Sequence, residues 1–246
     1  MLHIIDHRSE YAGVSIVGLH YFSGTQKRKP AAIEKELNYL MAFVEQVKQE
    51  RDFTLERLEY GTGLAIDYFA ADADDQEAAR LEAISGKIRE VAKKIQLTVE
   101  MGRFFAAPCG YYFTRVMDVK TNMDVNYAIV DGGLNQLKYD GQIQGMQIPQ
   151  ITHLKAAPAE TQSEPEKWTL CGSLCTTADV LVRKVPMNGL AQGDVLAFHN
   201  IGAYSVTEGP ALFLSRNMPR IILKDENGAR LVRDTIHSSS INQGNT

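Results

Sequence analysis

The amino-acid sequence predicts an α/β part followed by an all-β part. Up to Arg103, short β-branched runs alternate with long amphipathic patterns, which is typical of strand–helix–strand units with parallel strands. Beyond Arg103, short β-rich runs are separated by Gly, Pro, Asn and Asp, which is typical of antiparallel β-structure. We therefore expect an α/β region over residues 1–105, a β-domain over 106–236 and a disordered tail over 237–246.

Three strands and two helices are expected in the α/β region. The strands are predicted at residues 14–17, 53–60 and 95–99. The first helix begins at Pro30, where a missing N–H costs nothing, and apolar residues then recur at helical spacing as far as Val47. The second helix is predicted from about residue 75 to residue 94. Three parallel strands cannot close a barrel and would leave exposed edges, which suggests that further strands belong upstream.

Seven strands are expected in the β-domain. They are predicted at residues 112–119, 127–130, 168–171, 180–185, 195–198, 220–223 and 230–232. The polar, proline-bearing stretch 156–167 predicts an exposed loop between two of them.

Composition excludes several classes of partner. The formal net charge of -4 argues against nucleic acid, because phosphate binding favours a clustered excess of Lys and Arg. No apolar run approaches the roughly 20 residues that span a bilayer, and no secretory signal is present, so no membrane partner is expected. The three cysteines, Cys109, Cys171 and Cys175, form no disulfide framework and indicate a reducing cytoplasm. No metal site is predicted, because Cys171 and Cys175 lack a second ligand pair at zinc spacing.

Each predicted strand of the α/β region is followed by a loop that could bind an anion. The loops are Ser23-Gly24-Thr25-Gln26, Gly61-Thr62-Gly63 and Glu100-Met101-Gly102-Arg103. Glycines let main-chain N–H groups approach an anion closely, and Thr25 and Arg103 add donors. Any one of these loops could be an ordinary turn. Because ligands of parallel α/β folds bind where strand carboxyl ends become loops, three in succession indicate a phosphate site.

Six motifs occur in order along almost the whole chain. They are Gly18-Leu19-His20-Tyr21-Phe22-Ser23-Gly24-Thr25-Gln26, Gly61-Thr62-Gly63-Leu64, Glu100-Met101-Gly102-Arg103, Val130-Asp131-Gly132-Gly133-Leu134-Asn135, residues 171–180, and Gly193-Asp194 with Gly202-Ala203-Tyr204. In this order they resemble motifs of the diaminopimelate, ornithine and arginine decarboxylase family, which uses pyridoxal 5′-phosphate and is related in fold to alanine racemase. The resemblance implies the C-terminal part of a (β/α)8 barrel, an antiparallel β-sandwich or barrel domain, and decarboxylation of an amino acid by a homodimer.

The resemblance also implies roles for individual residues. Glu100 would pair with the pyridine nitrogen of the cofactor, and Phe22 would stack on its ring. The phosphate would be bound by Thr25, Gly61, Thr62, Gly63, Gly102, Arg103 and Tyr204. Cys175 would reach across the dimer interface into a shared active site and supply a proton to the substrate Cα, while Tyr139, Thr176 and Asp179 would face the substrate. By residue type alone, a buried, inert thiol is favoured for Cys175 and a half-buried core tyrosine for Tyr204.

The largest departure from the family is the absence of the cofactor-binding lysine: no lysine of this sequence stands at the family's position. Lys27 and Lys29 belong to a charged run that predicts a solvated loop. We therefore expect an N-terminally truncated decarboxylase that is inactive by itself. Lys138-Tyr139 stands where diaminopimelate decarboxylases carry a substrate-binding arginine, and Thr176 stands where an acidic residue is usual, so the substrate is left open.

Two other functions are compatible with the sequence. One is an amino-acid racemase on the same fold, although related racemases place an arginine where Glu100 stands. The other is a non-catalytic subunit that pairs with a longer relative and donates Cys175 to it.

Overall fold

A computed structural model describes residues 1–70, 73–157, 164–241 and 243. The chain divides into two compact units. The first comprises Met1–Asp67 with Asp72–Phe105, and the second comprises Tyr68–Ala71 with Ala106–Thr246. Within the described ranges, no helix is both long and apolar enough to cross a membrane.

The first unit is a parallel three-stranded sheet with helical connections. In chain order its elements are α1 (Leu2–Asp6), a 3-10 turn (Arg8–Glu10), β1 (Gly18–Phe22), α2 (Pro30–Arg51), β2 (Arg57–Gly61), α3 (Ala73–Ala92), β3 (Gln96–Glu100) and α4 (Gly102–Ala106). The strands are ordered β1-β2-β3, and both pairings are parallel. This arrangement confirms the predicted strand–helix–strand repeat.

Helix α2 begins at Pro30, as the sequence predicts, and buries Ile33, Leu37 and Leu40 on its apolar face. It ends before Asp52, whose left-handed φ of 45° stops the helical ladder. The same face buries Val47, so apolar residues at helical spacing decide which side of the helix packs.

The prediction of a strand at residues 14–17 is wrong. The strand is Gly18–Phe22, and Val14 is 67% exposed. Pairing starts at Gly18 opposite Arg57, where a Cβ would overlap the Arg57 carbonyl oxygen. The second strand likewise begins at Arg57, later than the predicted start at residue 53. The close approach that a glycine permits therefore set the start of pairing, which a β-branched run does not reveal.

The second unit is built on a six-stranded sheet. Its elements are a 3-10 turn (Ala107–Cys109), β4 (Tyr112–Asn122), β5 (Val125–Val130), β6 (Ile151–Leu154), β7 (Glu166–Cys171), β8 (Val180–Met187), β9 (Val195–Phe198), α5 (Ser205–Glu208), a 3-10 turn (Phe213–Ser215), β10 (Ile221–Asp225), β11 (Gly228–Arg233) and a 3-10 turn (Ser238–Ser240). The large sheet is ordered β6-β9-β4-β5-β7-β8, and β10 pairs with β11 in a separate ribbon. All seven predicted runs form strands.

Two expectations for the β-domain are corrected. The large sheet is mixed and not purely antiparallel, because β5 and β7 pair in parallel. Strand β6 was missed, and it pairs with β9 at the sheet edge. The chain leaves β5, adds β6 at the far edge and returns to lay β7 beside β5 in the same direction. That crossover produces the parallel pair, and whether the domain closes as a sandwich or barrel stays a prediction.

Two predictions concern segments that are only partly described. Residues 158–163 of the predicted exposed loop, and residues 242 and 244–246 of the predicted disordered tail, lie outside the described residues. Within the tail, Ser238–Ser240 form a 3-10 turn, and the buried Ser238 hydroxyl donates to the Arg216 carbonyl at 2.7 Å.

Candidate active site

Three of the predicted site residues form a row across the first sheet. Phe22 on β1 is in register with Gly61 on β2, and Gly61 is in register with Glu100 on β3. Each is the last residue of its strand. Parallel strands place their carboxyl ends at one edge, so the row lies where ligands of α/β folds bind.

Gly61 is required in this row because the side chains of Phe22 and Glu100 lie directly beside it. A Cβ at Gly61 would lie 2.7 Å from Phe22 Cδ2 and 3.3 Å from Glu100 Oε2. The first distance is shorter than any normal Cβ contact. The absence of a side chain at Gly61 therefore lets the Phe22 ring and the Glu100 carboxylate occupy the space above the central strand.

The loops after the three strands are joined to one another. Gly63 has a φ of +60°, and a Cβ there would overlap the carbonyl oxygen of Gly24. Lys27 N–H donates to the Gly63 carbonyl at 2.8 Å, and Thr62 N–H donates to the Glu100 carbonyl at 3.3 Å. The predicted anion-binding loops thus lie together. Thr25 and Gly102 are exposed, and Arg103 is half-buried.

Thr62 faces inward. Its side chain is fully buried, and its hydroxyl oxygen accepts the Leu64 N–H at 3.2 Å. The residue that interrupts the glycine triplet therefore stabilises the turn locally. Its predicted role at the cofactor stays a prediction.

Sequence reasoning missed two residues beside Glu100. His20 Nε2 lies 3.1 Å from Glu100 Oε2, and Glu59 is the third member of a group whose polar atoms all lie within 4.8 Å of one another. The hydrogen bond from His20, followed by one from Glu59, holds the pKa of Glu100 below its usual value. Strand alternation could have found both, because His20 precedes Phe22 by two residues and Glu59 precedes Gly61 by two. Imidazole and carboxylate groups also bind metals, and the expectation that the chain has no metal site stays a prediction.

A second polar cluster fixes the first loop to helix α2. Glu36 accepts hydrogen bonds from Ser23 Oγ at 2.6 Å, Lys27 Nζ at 2.7 Å and the Tyr60 hydroxyl at 2.6 Å. Burial raises the pKa of Glu36, but the three hydrogen bonds outweigh it and the net pKa is lowered. The expectation that Lys27 is solvated is wrong, since its side chain is only 13% exposed. Because Lys27 is paired with Glu36, it anchors the loop that carries Gly24 and does not extend into water.

In the second unit, Cys175 lies on an exposed loop held by a buried carboxylate. Asp179 Oδ1 accepts the Leu134 N–H and Asp179 Oδ2 accepts the Leu174 N–H, both at 2.8 Å. Burial raises the pKa of Asp179, although these two hydrogen bonds oppose the shift. Thr176 is half-buried, and its hydroxyl oxygen accepts the Ala178 N–H at 3.2 Å. The observed contacts of Asp179 are with the main chain, and its predicted contact with substrate stays a prediction.

Tyr139 and Tyr204 occupy contrasting environments in the second unit. Tyr139 is 4% exposed, its hydroxyl donates to the His199 carbonyl at 2.6 Å, and its ring packs edge-on against Tyr68 and Phe69. Tyr204 is 51% exposed and has a left-handed φ of 64° at the start of α5. The structure therefore places Tyr139 in the core and Tyr204 at the surface of this unit.

Comparison with known proteins identifies the family. Residues 39–202, well over half of the chain, match the family model described as pyridoxal-dependent decarboxylase, C-terminal sheet domain. The chain belongs to this family. Diaminopimelate decarboxylase of Methanocaldococcus jannaschii is 26% identical over 90% of this chain and 49% of the relative.

Two further comparisons agree with this family. The L-glutamyl-[BtrI acyl-carrier protein] decarboxylase of Niallia circulans is 25% identical over 88% of this chain and 52% of its own. The crystal structure of the M. jannaschii diaminopimelate decarboxylase in co-complex with L-lysine superimposes with a TM-score of 0.75 at 24% identity, over 92% of this chain and 50% of that one. This decarboxylase-family chain thus has the fold of those enzymes and spans about half the length of the relatives it matches.

The residues of the first unit are compatible with the pyridoxal phosphate that the family name implies. The Phe22 ring is 55% exposed beside the Glu100 carboxylate, which suits a flat, protonated heteroaromatic ring. A Cβ added at Gly24 or Gly102 would meet no atom within 4 Å, so both main chains have space beside them for a phosphate. The donor set therefore fits the two chemically distinct ends of this cofactor.

Proposed function

We propose that this chain belongs to a pyridoxal-phosphate-dependent amino-acid decarboxylase and contributes the pyridine- and phosphate-binding edge of its active site. The observation that carries the proposal is the row of Phe22, Gly61 and Glu100, with the carboxylate held by His20. Decarboxylation is proposed as the activity of the whole protein. Because no lysine of this sequence matches the family position, we propose that this chain alone does not turn over substrate.

Glu100 is the residue that decides which chemistry the site favours. Bound pyridoxal phosphate supplies an electron sink for the electron pair left when a carboxylate departs, and a protonated ring nitrogen strengthens that sink. An ionised Glu100 would accept a hydrogen bond from the ring nitrogen and keep it protonated, and the lowered pKa of Glu100 supports this. Phe22 would cover one ring face. This favours decarboxylation over the racemase alternative, for which an arginine at position 100 is expected.

The phosphate is proposed to bind at the joined loops. Main-chain N–H groups at Gly61, Gly63 and Gly102 would donate to it, and Thr25 and Arg103 would add side-chain donors. Because the Thr62 N–H donates to the Glu100 carbonyl, Thr62 would shape the loop instead of donating to the phosphate. Tyr204 keeps the phosphate role that the resemblance implies. The Glu36 cluster would keep the first loop in place when the anion binds.

Cys175 is proposed to hold the proton that is delivered to the substrate Cα after carbon dioxide leaves, within a homodimer that shares its active sites. Its exposure supports this role over that of an inert core thiol. Asp179 would position the Cys175 loop. The contacts of Tyr139 and Asp179 support structural roles, which leaves Thr176 as the substrate-facing residue that we favour.

The substrate is proposed to be an amino acid, as for the relatives whose names describe diaminopimelate and carrier-bound glutamate as substrates. The test is release of labelled carbon dioxide from a panel of free and carrier-bound amino acids by the whole protein of which this chain is proposed to be a part, supplied with pyridoxal 5′-phosphate. Glu100→Gln is expected to abolish most release, while Glu34→Gln, an exposed carboxylate on α2, leaves it unchanged. Cofactor binding without release from any substrate, or racemised product without release, would contradict the proposal.

A further inference from the structure

Three polar side chains lie together on one face of the first sheet. His20 on β1 and Glu100 on β3 belong to the two outer strands, yet His20 Nε2 and Glu100 Oε2 are 3.1 Å apart. They meet across the central strand because Gly61 has no side chain, and a Cβ there would lie 3.3 Å from the same Glu100 oxygen. Glu59, two residues before Gly61, completes the group.

The Glu59 and Glu100 carboxylates carry like charges, and His20 can offset the repulsion between them. Two carboxylates whose oxygens lie within 4.8 Å of each other repel, and repulsion favours protonation of one of them. The titratable groups that face Glu100 are His20 from β1 and Glu59 from β2. The pKa of Glu100 is nevertheless lowered, and the hydrogen bond from His20 is the largest cause. A hydrogen bond from the Glu59 side chain is the second cause, which places a shared proton on Glu59 and leaves the charge on Glu100.

We propose that His20 is a positioning residue that fixes the Glu100 carboxylate above Gly61 and balances the charge of the Glu59–Glu100 pair, so that Glu100 stays negatively charged. The consequence for a bound cofactor rests on the proposed function, since an ionised Glu100 would then meet the ring nitrogen. The coupling between His20 and Glu100 is a property of this sheet and does not require the cofactor.

The first test follows the Glu100 carboxyl group directly. The chain is labelled with ¹³C-glutamate, the Glu100 carboxyl resonance is assigned by its loss in Glu100→Gln, and its titration midpoint is measured. We expect the midpoint to shift upward in His20→Ala and by less in His20→Gln, which keeps an N–H donor without the charge. The exposed His3 serves as the control, and His3→Gln is expected to leave the midpoint unchanged.

A double-mutant cycle separates a charge effect from a structural one. In a Glu59→Gln background the carboxylate repulsion is gone, so the upward shift caused by His20→Ala is expected to be smaller than in the wild type. A general loss of packing would not depend on the residue at position 59. If His20→Ala does not fold, His20→Gln decides the question, and an unchanged Glu100 midpoint in the folded variant overturns the proposal.

The second readout separates this inference from the proposed function. Binding of pyridoxal 5′-phosphate to the full protein is followed by absorbance in the wild type, His20→Gln and His20→Ala, and we expect progressively weaker binding. If the wild type fails to bind while the Glu100 midpoint still shifts, the proposed function fails and the coupling stands. If all three bind equally and the midpoint does not move, the inference about His20 fails and the proposed function stands.

Discussion

Asp179 Oδ2 accepts the main-chain N–H of Leu174 at 2.8 Å, and Leu174 is the residue before Cys175. The other oxygen of the same carboxylate accepts the Leu134 N–H. Side chains at Gly133 and Gly172 would collide with this carboxylate, so both glycines make room for it. One buried carboxylate therefore joins the loop after β5 to the loop that presents the candidate proton donor.

Replacing Asp179 is expected to destabilise the second unit. In Asp179→Asn, the amide NH2 must face one of two N–H donors, so one main-chain hydrogen bond is lost and a buried donor is left without its acceptor. We expect a loss of about 1–3 kcal/mol in the free energy of unfolding. Urea denaturation measures it, with Asp118→Asn at an exposed position of β4 as the matched control. Equal stabilities of the two variants would contradict the role of Asp179.

Two glycine substitutions are expected to act in opposite directions. Gly61→Ala forces the Phe22 ring to move, because the new Cβ would lie 2.7 Å from Phe22 Cδ2, and overpacking of this kind costs about 1–3 kcal/mol. Gly86→Ala lies within helix α3 with nothing within 4 Å of its Cβ, and it is expected to stabilise by about 0.5–1 kcal/mol. Thermal unfolding of both variants tests the pair. Stabilisation by Gly61→Ala would contradict the close packing of Phe22 and Glu100 around Gly61.

Tyr139→Phe distinguishes a core residue from a substrate-binding residue. The substitution removes the hydroxyl that donates to the His199 carbonyl while keeping the ring packed on Tyr68 and Phe69. We expect a loss of about 1 kcal/mol in stability with the KM for substrate unchanged. A raised KM at unchanged stability would instead support the predicted contact between Tyr139 and substrate.

Stability is expected to fall at low pH in part through Asp194. Burial raises the pKa of this carboxyl, but hydrogen bonds from Ala156 N–H, His153 and Ala191 N–H outweigh it, so the net pKa is lowered. A depressed carboxyl pKa stabilises the folded state above the unfolded value and loses that contribution as pH falls through the folded value, because the unfolded chain binds the proton more readily. Asp194→Asn should therefore cost about 1.5–3 kcal/mol at neutral pH and much less under strongly acidic conditions. Urea denaturation across pH measures the difference, and a pH-independent cost would rule out the charge of Asp194 as its source.

Local patterns predicted most of the elements correctly. Helix α2 starts at Pro30 because proline suits the first helical turn, and its apolar spacing identified the packed face. The strand at residues 14–17 was misplaced because β-branched residues indicate a strand without saying where pairing begins. Strand β6 was missed because its sequence, Ile151-Thr152-His153-Leu154, places two polar residues side by side and so lacks the alternation that indicates a strand.

The candidate site was predicted where its residues follow strand ends and missed where partners come from distant segments. Phe22, Gly61 and Glu100 were found because each is the last residue of a strand, and parallel strands bring their carboxyl ends together. Glu36 was missed because a hydrogen bond from a helix to a loop leaves no local pattern. Strand alternation places His20 on the same face as Phe22, but its contact with Glu100, 80 residues away, leaves no local pattern.

The sequence by itself determined the strand–helix repeat, the glycine-bearing loops and the order of the motifs, because these depend on short-range periodicity and backbone freedom. Only the tertiary structure decided the strand register, the parallel pairing of β5 with β7, and the partners of Glu100 and Asp179. Those features depend on which distant segments meet. Their stability comes from desolvated charges and hydrogen bonds that exist only once the chain is folded.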